Sequence, residues 1–390
     1  MSSFPSDPAG RVRFIMLGGF LGAGKTTTIA RLARHFIEQG RKVGLVTNDQ
    51  AYGLVDTQSL QAQGFRVGEV TGACFCCKFN DLVATAAQLA ADDQPDVIIA
   101  EPVGSCTDLA ATVIEPLRQL YGDRYEIAPL AVLLKPDHGR KILADEPGLG
   151  FSPKAAYIFL KQLEEADVVV INKIDQLEAQ RLDDLLRLTR ERFPDKEILA
   201  MSARQGQGFD ALIEAVSRPE PLRLRTPEVD YDIYAEGEAE LGWLNCSLKV
   251  RSAGAFDVDR ALVDLVRGLQ RAFAEVSAEP AHLKVLADAA GATAIANLVS
   301  ADAGVELSLA SGARASTAEF TINARVAVDP ETLSALVSEA AAELAARHSL
   351  DCEIADMQSF RPGRPSPTHR MPLGHAGKRD GWPSGLRRQS

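Results

Sequence analysis

No apolar run in this 390-residue chain approaches the length of a membrane span, which excludes helical insertion into a bilayer. No secretory leader is visible, so a cytoplasmic, reducing location is expected. Basic residues are outnumbered, 42 Lys and Arg against 53 Asp and Glu, for a formal net charge of -11. That balance argues against nucleic acid as the main partner. Histidines are few and scattered, at positions 35, 138, 282, 348, 369 and 375. No metal-buffering tract exists, and an isolated histidine such as His282 or His348 reads as an ordinary surface or core residue. Cysteine is also scarce, yet three of the six crowd into Cys74-Phe75-Cys76-Cys77.

In a reducing compartment, clustered thiols bind metal or do redox chemistry rather than form disulfides. Thiolates select soft or borderline ions, with Zn²⁺ the leading expectation and Co²⁺ or Fe²⁺ behind it. Adjacent Cys76 and Cys77 cannot easily both face one ion from a regular strand. Two of Cys74, Cys76 and Cys77 are therefore expected to ligate, completed by Glu69, another side chain or water. Cys106, Cys246 and Cys352 read as packing residues.

The strongest positive signal is Gly19-Phe20-Leu21-Gly22-Ala23-Gly24-Lys25-Thr26, a complete G-x-x-x-x-G-K-[ST] loop. It follows a strand-like run, Val12 to Leu17, and opens a segment with helical periodicity that Gly40 closes. Backbone N–H groups from Gly19, Gly22, Ala23 and Gly24 through Thr27 are placed to wrap phosphates at a helix N-terminus. Lys25 would reach the β- and γ-phosphates, and Thr26 would offer a hydroxyl to Mg²⁺. A second motif, Asn172-Lys173-Ile174-Asp175, ends the strand-like run from Asp167. A carboxylate at Asp175 accepts from N1–H and the 2-amino group of guanine, donors that adenine lacks, which favours GTP over ATP. Ser202-Ala203 follows another apolar run, where GTPases place a backbone contact to guanine O6.

Together, residues 18–27, the C-x-C-C cluster with Glu69 before it, and N-K-x-D resemble the CobW family of metallochaperone GTPases, relatives of the HypB and UreG proteins. The likeness covers about residues 11–215. It places Asn48-Asp49 at switch I and Glu101 in the Walker B position, with Glu101-Pro102-Val103-Gly104 where the family has Glu-Thr-Ser-Gly. The resemblance implies Glu101 beside Thr26 at Mg²⁺, the Gly104 N–H at the γ-phosphate, and Asp49 orienting Mg²⁺ or the attacking water. Lys25, Asp49 and Glu101 are thus the candidate catalytic residues. No glutamine stands where many GTPases orient that water, so slow intrinsic hydrolysis is expected. The implied function is a GTP-gated carrier that delivers a transition-metal ion to a client metalloprotein or cofactor-assembly enzyme. A regulatory or assembly GTPase with redox-sensitive or structural cysteines is the alternative, and homodimerisation stays open.

The expected fold is α/β: a P-loop NTPase with a doubly wound, mostly parallel sheet over 11–217, then a smaller ferredoxin-like α/β domain over 241–360. The second domain shows a β-α-β echo, with Ala292 to Leu309 adding one or two strands and Asp257 and Asp329 capping helices. Residues 1–10 and the basic segment 361–390, with seven Lys/Arg against one Asp, read as disordered. Residues 218–240 read as a linker.

Overall fold

The computed structural model describes residues 10–50, 55–144, 152–219, 226–298, 300–301 and 303–372. In its first half, strands alternate with helices: β1 Val12–Gly19, α1 Lys25–Glu38, β2 Val43–Asn48, α2 Val55–Ala62, β3 Val67–Val70, α3 Phe79–Asp93, β4 Val97–Glu101, α4 Glu115–Tyr121 and β5 Tyr125–Ile127. There follow β6 Ala131–Leu134, α5 Pro136–Leu143, α6 Pro153–Glu165, β7 Val168–Ile171, α7 Ala179–Arg192, β8 Glu197–Ala200 and α8 Phe209–Ser217. The strands order β3-β2-β4-β1-β6-β7-β8, with β5 beside β1. Every pairing is parallel. Strands buried on both faces need apolar residues throughout, and Val168-Val169-Val170-Ile171 and Ala131-Val132-Leu133-Leu134 supply them. The strand order reverses on either side of β1, so β1 delivers its following loop to the crevice where open α/β sheets bind ligands.

A short helix, α9 Tyr231–Ala239, leads to the second sheet. The remaining elements are β9 Gly242–Asp257, α10 Val258–Glu275, β10 Pro280–Ala289, β11 Ala292–Leu298, β12 Glu306–Leu309, β13 Arg314–Val326, α11 Pro330–His348 and β14 Asp351–Phe360. The order β12-β11-β10-β13-β9-β14 is antiparallel throughout. Strands β10, β13, β9 and β14 have the ferredoxin-like arrangement, and β11 and β12 extend the β10 edge. Asp257 and Asp329 cap α10 and α11, accepting from the N–H of Arg260 and Thr332 at 2.9 and 2.8 Å.

Period-two alternation sorts this sheet's faces. Leu283, Val285, Ile322 and Ala324 join the helix-side core. His282, Lys284, Asn323 and Arg325, between them in sequence, line the cleft toward the first sheet.

Two sequence expectations change. Residues 230–240 are not linker: Asp230 caps α9 by accepting from Asp232 and Ile233 N–H, and α9 packs on α6. The segment from Arg361 is not unfolded as far as residue 372. Thr368 N–H donates to Cys76 O and Met371 N–H to Ala111 O, both at 2.8 Å, and Arg370 pairs with Asp108 at 2.8 Å. Composition registers the prolines and charges of such a strap but not the carbonyls awaiting its N–H groups. Residues 1–9, 220–225 and 373–390 of the expected disordered and linker segments lie outside the described residues.

Glu165, at the end of α6, is fully buried and accepts from Ala110 N–H at 2.9 Å. Burial pushes its carboxyl from 4.5 up to about 8. Across that window the native chain holds a proton that the unfolded chain has lost, so stability falls as pH rises. Glu165→Gln is expected to remove a slope of up to about 1.4 kcal/mol per pH unit. Urea melts of wild type and variant at several pH values across this window check it; identical slopes would contradict it.

Candidate nucleotide and metal site

A cleft of about 420 Å³ opens at the end of β1, between the two sheets. Leu21, Gly22, Gly24, Lys25 and Thr26 of the phosphate loop line it, and Gly24 is the constrained residue. It sits at φ 92°, a left-handed conformation, and a Cβ there would stand 2.5 Å from Asn172 Nδ2. The closeness has a purpose. Asn172 Nδ2 donates to Ala23 O at 2.8 Å, while its Oδ1 accepts from Ala203 N–H at 2.9 Å. One amide therefore ties together the phosphate loop, the N-K-x-D turn and the Ser202-Ala203 loop. Lys25 is buried with Nζ on Gly19 O at 2.9 Å. Lys173 takes φ 62°, turning the chain into the 3₁₀ turn that brings Asp175 to the cleft. Burial lowers the Lys173 ammonium from its ordinary range. Gly22, Thr27 and Ala203 also line the cleft, and Ser202 is buried behind it.

At the other end, Thr26 Oγ1 lies 3.0 Å from Glu101 Oε1 and 2.9 Å from Asp56 Oδ1. Burial pushes Glu101 up to about 7, and the Asp56 charge adds to this. Glu101 Oε2 is buried without a hydrogen-bond partner among the described residues. A hydroxyl, two carboxylates and an unpartnered carboxylate oxygen make a hard-oxygen set that fits Mg²⁺. Asp56 was not legible as a site residue in the sequence. Burial would raise its carboxyl, but Lys284 holds it well below the usual range. Burial drives His282 down to about 3, so the imidazole beside it is neutral.

Asp49, expected at Mg²⁺ or the attacking water, lines the same cleft, where Arg325 engages it. Both its oxygens accept from Arg325 Nη2, at 2.9 and 3.1 Å, and the guanidinium lies 4.2 Å over the Trp243 ring. Its neighbour Asn48 does the coupling. Asn48 Nδ2 donates to Val70 O and Ala73 O at 2.9 and 2.8 Å, and Oδ1 accepts from Phe75 N–H at 2.7 Å. The C-x-C-C segment is thus pinned to the end of β2. Gly104 rests on the phosphate loop, where a Cβ would come 2.7 Å from Leu21 Cδ2.

The cysteines form a turn entering α3, not a strand, which removes the objection to adjacent ligands. Cys74, Cys76 and Cys77 converge, their sulfurs within 4.8 Å of one another. The sulfurs stand 2.9, 3.4 and 3.8 Å apart. Hydrogen bonding from the neighbouring thiols pulls Cys74 well below the ordinary thiol range. Glu69 is not in the cluster; it accepts from Thr57 at 3.3 Å. Ser366 N–H donates to Cys77 Sγ at 3.2 Å.

Comparison with known proteins accords with this geometry. Residues 13–200 match the family described as "CobW/HypB/UreG, nucleotide-binding domain". The chain is similar to a zinc chaperone CobW from Sinorhizobium sp, 23% identical over 307 residues, 71% of this chain and 85% of the relative. It is also similar to the zinc chaperone YeiR of Escherichia coli, 28% identical over 192 residues, 47% of this chain and 53% of the relative. That second match spans about half of the relative's own length. Among solved structures, HypB from Archaeoglobus fulgidus is 17% identical, with a TM-score of 0.38, over 53% of this chain and 88% of that one. No helix among the described residues is long and apolar enough to cross a membrane.

Gly24→Ala strains the left-handed turn and drives a methyl into Asn172. It is expected to weaken guanine-nucleotide binding by about tenfold or more. Calorimetric titration with GDP measures this; undiminished affinity would contradict the geometry.

Proposed function

From the premise that residues 13–200 form a nucleotide-binding domain of the CobW/HypB/UreG type, we propose that this chain is a GTP-hydrolysing metallochaperone. Its cargo is a transition-metal ion, Zn²⁺ first among the candidates, held at Cys74, Cys76 and Cys77. It delivers that ion in the cytoplasm to a client metalloprotein or cofactor-assembly enzyme. The observation that carries the reading is the convergence of three sulfurs on a loop pinned by Asn48, next to the nucleotide cleft.

The residues divide the work by chemistry. Backbone N–H groups from Gly19 to Thr27 and the Lys25 ammonium bind the phosphates, with the Gly104 N–H at the γ-phosphate. Asp175 reads guanine N1–H and the 2-amino group, the Ser202-Ala203 loop offers a backbone contact to O6, and Asn172 and Lys173 hold those loops in place. Thr26 and Glu101, with Asp56 beside them, would hold Mg²⁺, which when bound neutralises phosphate charge. Glu101 must lose its proton for that role, and Lys284 keeps Asp56 ionised. Asp49 serves through Arg325 by anchoring the switch to the second sheet, not by touching water. Slow intrinsic hydrolysis is expected, because the sequence has no glutamine where many GTPases orient the attacking water.

The cargo side follows the same logic. Zn²⁺ favours thiolates, and zinc chaperones are what the similar proteins are called. Hydrogen bonds from neighbouring thiols lower the Cys74 thiol, which favours thiolate ligation, and binding releases protons from the thiols. Coupling arises because Asn48 and the Glu101–Gly104 segment belong both to the nucleotide cleft and to the surroundings of the cysteines.

Anaerobic Co²⁺ titration of reduced protein tests the cargo site. Stoichiometric thiolate-to-cobalt absorption, lost in Cys76→Ser, is the expected result. No such absorption, with GTP still bound, would instead leave a GTPase switch acting on a protein partner. Asp175→Asn is expected to lower the preference for GTP over ATP by about a hundredfold; an unchanged preference in competition binding would remove Asp175 from the base site.

A further inference from the structure

Four strands of the second sheet each place one polar side chain, in a row, along their side of the nucleotide cleft. Glu306 of β12 pairs in register with Asn297 of β11, Asn297 with Lys284 of β10, and Lys284 with Asn323 of β13. Residues directly opposite on neighbouring strands share a face, and all four line the cleft. Of these four, Lys284 alone carries positive charge.

The row runs in the direction that a bound nucleotide would take. At one end, Glu306 pairs with Arg204 at 2.6 Å, next to the Ser202-Ala203 loop at the guanine end. Toward the other, Lys284 pairs with Asp56. The same Asp56 Oδ1 accepts from Thr26 Oγ1 at 2.9 Å. One carboxylate thus separates the Lys284 ammonium from the hydroxyl of the phosphate loop. Its side chain is only 12% exposed, and the backbone around it is fixed. Val55 N–H donates to Asn323 Oδ1 at 3.0 Å, and Val55 packs with Leu286 and Ile295. The helix that bears Asp56 is therefore fastened to β10, β11 and β13 where Lys284 stands.

Charge decides what the ammonium does when nucleotide enters. A triphosphate stays anionic after Mg²⁺ and Lys25 have been counted. With Mg²⁺ at Thr26 and Glu101, Asp56 faces a stronger counter-charge than an ammonium, and its hold on Lys284 weakens. A lysine head is a compact point charge on a flexible four-carbon stem. It can turn from Asp56 to the nearest anion, which at the Mg²⁺ end of the cleft is the γ-phosphate. With GDP that anion is missing, and the ammonium stays on Asp56.

We propose that Lys284 is a γ-phosphate ligand supplied by the second sheet, held on Asp56 without GTP and handed to the phosphate when GTP binds. Only hydrogen bonds and ion pairs are exchanged, and no proton need move. Through this lysine the second sheet reads which nucleotide is present. The role rests on the GTP-binding reading of the cleft and adds to it a residue outside the matched domain of residues 13–200.

Full-length protein with Mg²⁺, titrated calorimetrically with GDP and with a non-hydrolysable GTP analogue, tests this. Lys284→Met is expected to weaken the analogue by about tenfold or more beyond any loss for GDP. In an Asp56→Asn background, where no ion pair is left to break, Lys284→Met is expected to cost the analogue a similar factor. A lysine that merely holds the two sheets together would weaken both nucleotides alike, or cost nothing in that background, and either result would overturn the proposal. In the wild type, acetylation read by peptide mass spectrometry is expected to modify Lys284 several-fold more slowly with the analogue than with GDP. Equal rates would overturn the proposal even if the variants failed to fold. Wild type that binds neither nucleotide would overturn the GTP-binding reading together with this one, whereas an equal loss for both nucleotides would overturn this one alone.

Discussion

Two buried carboxylates, Asp56 and Glu101, face the same hydroxyl on Thr26, and the surroundings of the cleft are arranged around that repulsion. Two like charges so close cannot both ionise without a counter-charge. Lys284 from the second sheet supplies it to Asp56, while Glu101 is pushed up to about 7 and held near the point of protonation. Each partner alone would be a costly buried group. Removing one member of such a buried pair typically costs about 3–5 kcal/mol, because the other is left uncompensated. The first sheet therefore presents a metal-ready oxygen set only with the second sheet in place. The same sheet holds Asp49 through Arg325 and receives Val55 N–H on Asn323 Oδ1 at 3.0 Å. Residues on both sides of the nucleotide-facing switch are anchored to it.

From that cleft, a covalent route leads to the thiols. It passes along β2 to Asn48, whose amide saturates Val70, Ala73 and Phe75 of the cysteine loop. This short segment is held by hydrogen bonds rather than left as a loose loop, so a shift at the phosphate end reaches the sulfurs instead of dissipating. Coupling of this kind needs an element with two arrangements that both ligands bias. Asn48 qualifies as the junction, because it lines the cleft and its amide holds the cysteine loop. The C-terminal strap, with Ser366 on Cys77 and Thr368 on Cys76, covers the outer side of the same cluster.

Much of this was legible in the sequence, and what was missed has physical reasons. The phosphate loop and N-K-x-D could be read because their chemistry depends on local spacing next to strands, Glu101 was named through the family resemblance, and the alternation of apolar runs and amphipathic segments pointed to the parallel sheet. The ferredoxin-like unit was visible as a repeated β-α-β pattern. Asp56, Lys284 and Arg325 were not visible as site residues: Asp56 reaches Thr26 from outside any motif, and Lys284 and Arg325 reach Asp56 and Asp49 across more than 200 residues by sheet packing. A signal did exist: His282-Leu283-Lys284-Val285 and Ile322-Asn323-Ala324-Arg325 alternate polar with apolar where both faces are buried, and buried polar residues at strand centres need partners. The cysteine geometry was misjudged because a strand was assumed where a turn enters α3. The strap was misjudged because low-complexity composition does not register backbone pairing.

The central claim is that nucleotide state sets metal affinity. Its most direct test is the zinc dissociation constant, by chelator competition, of the reduced wild-type chain with Mg²⁺ and a non-hydrolysable GTP analogue and again with Mg²⁺-GDP. A difference of about tenfold or more, about 1.4 kcal/mol of coupling, matched by the same factor in nucleotide affinity with and without zinc, is the result predicted. Equal zinc affinity in the two states would contradict it.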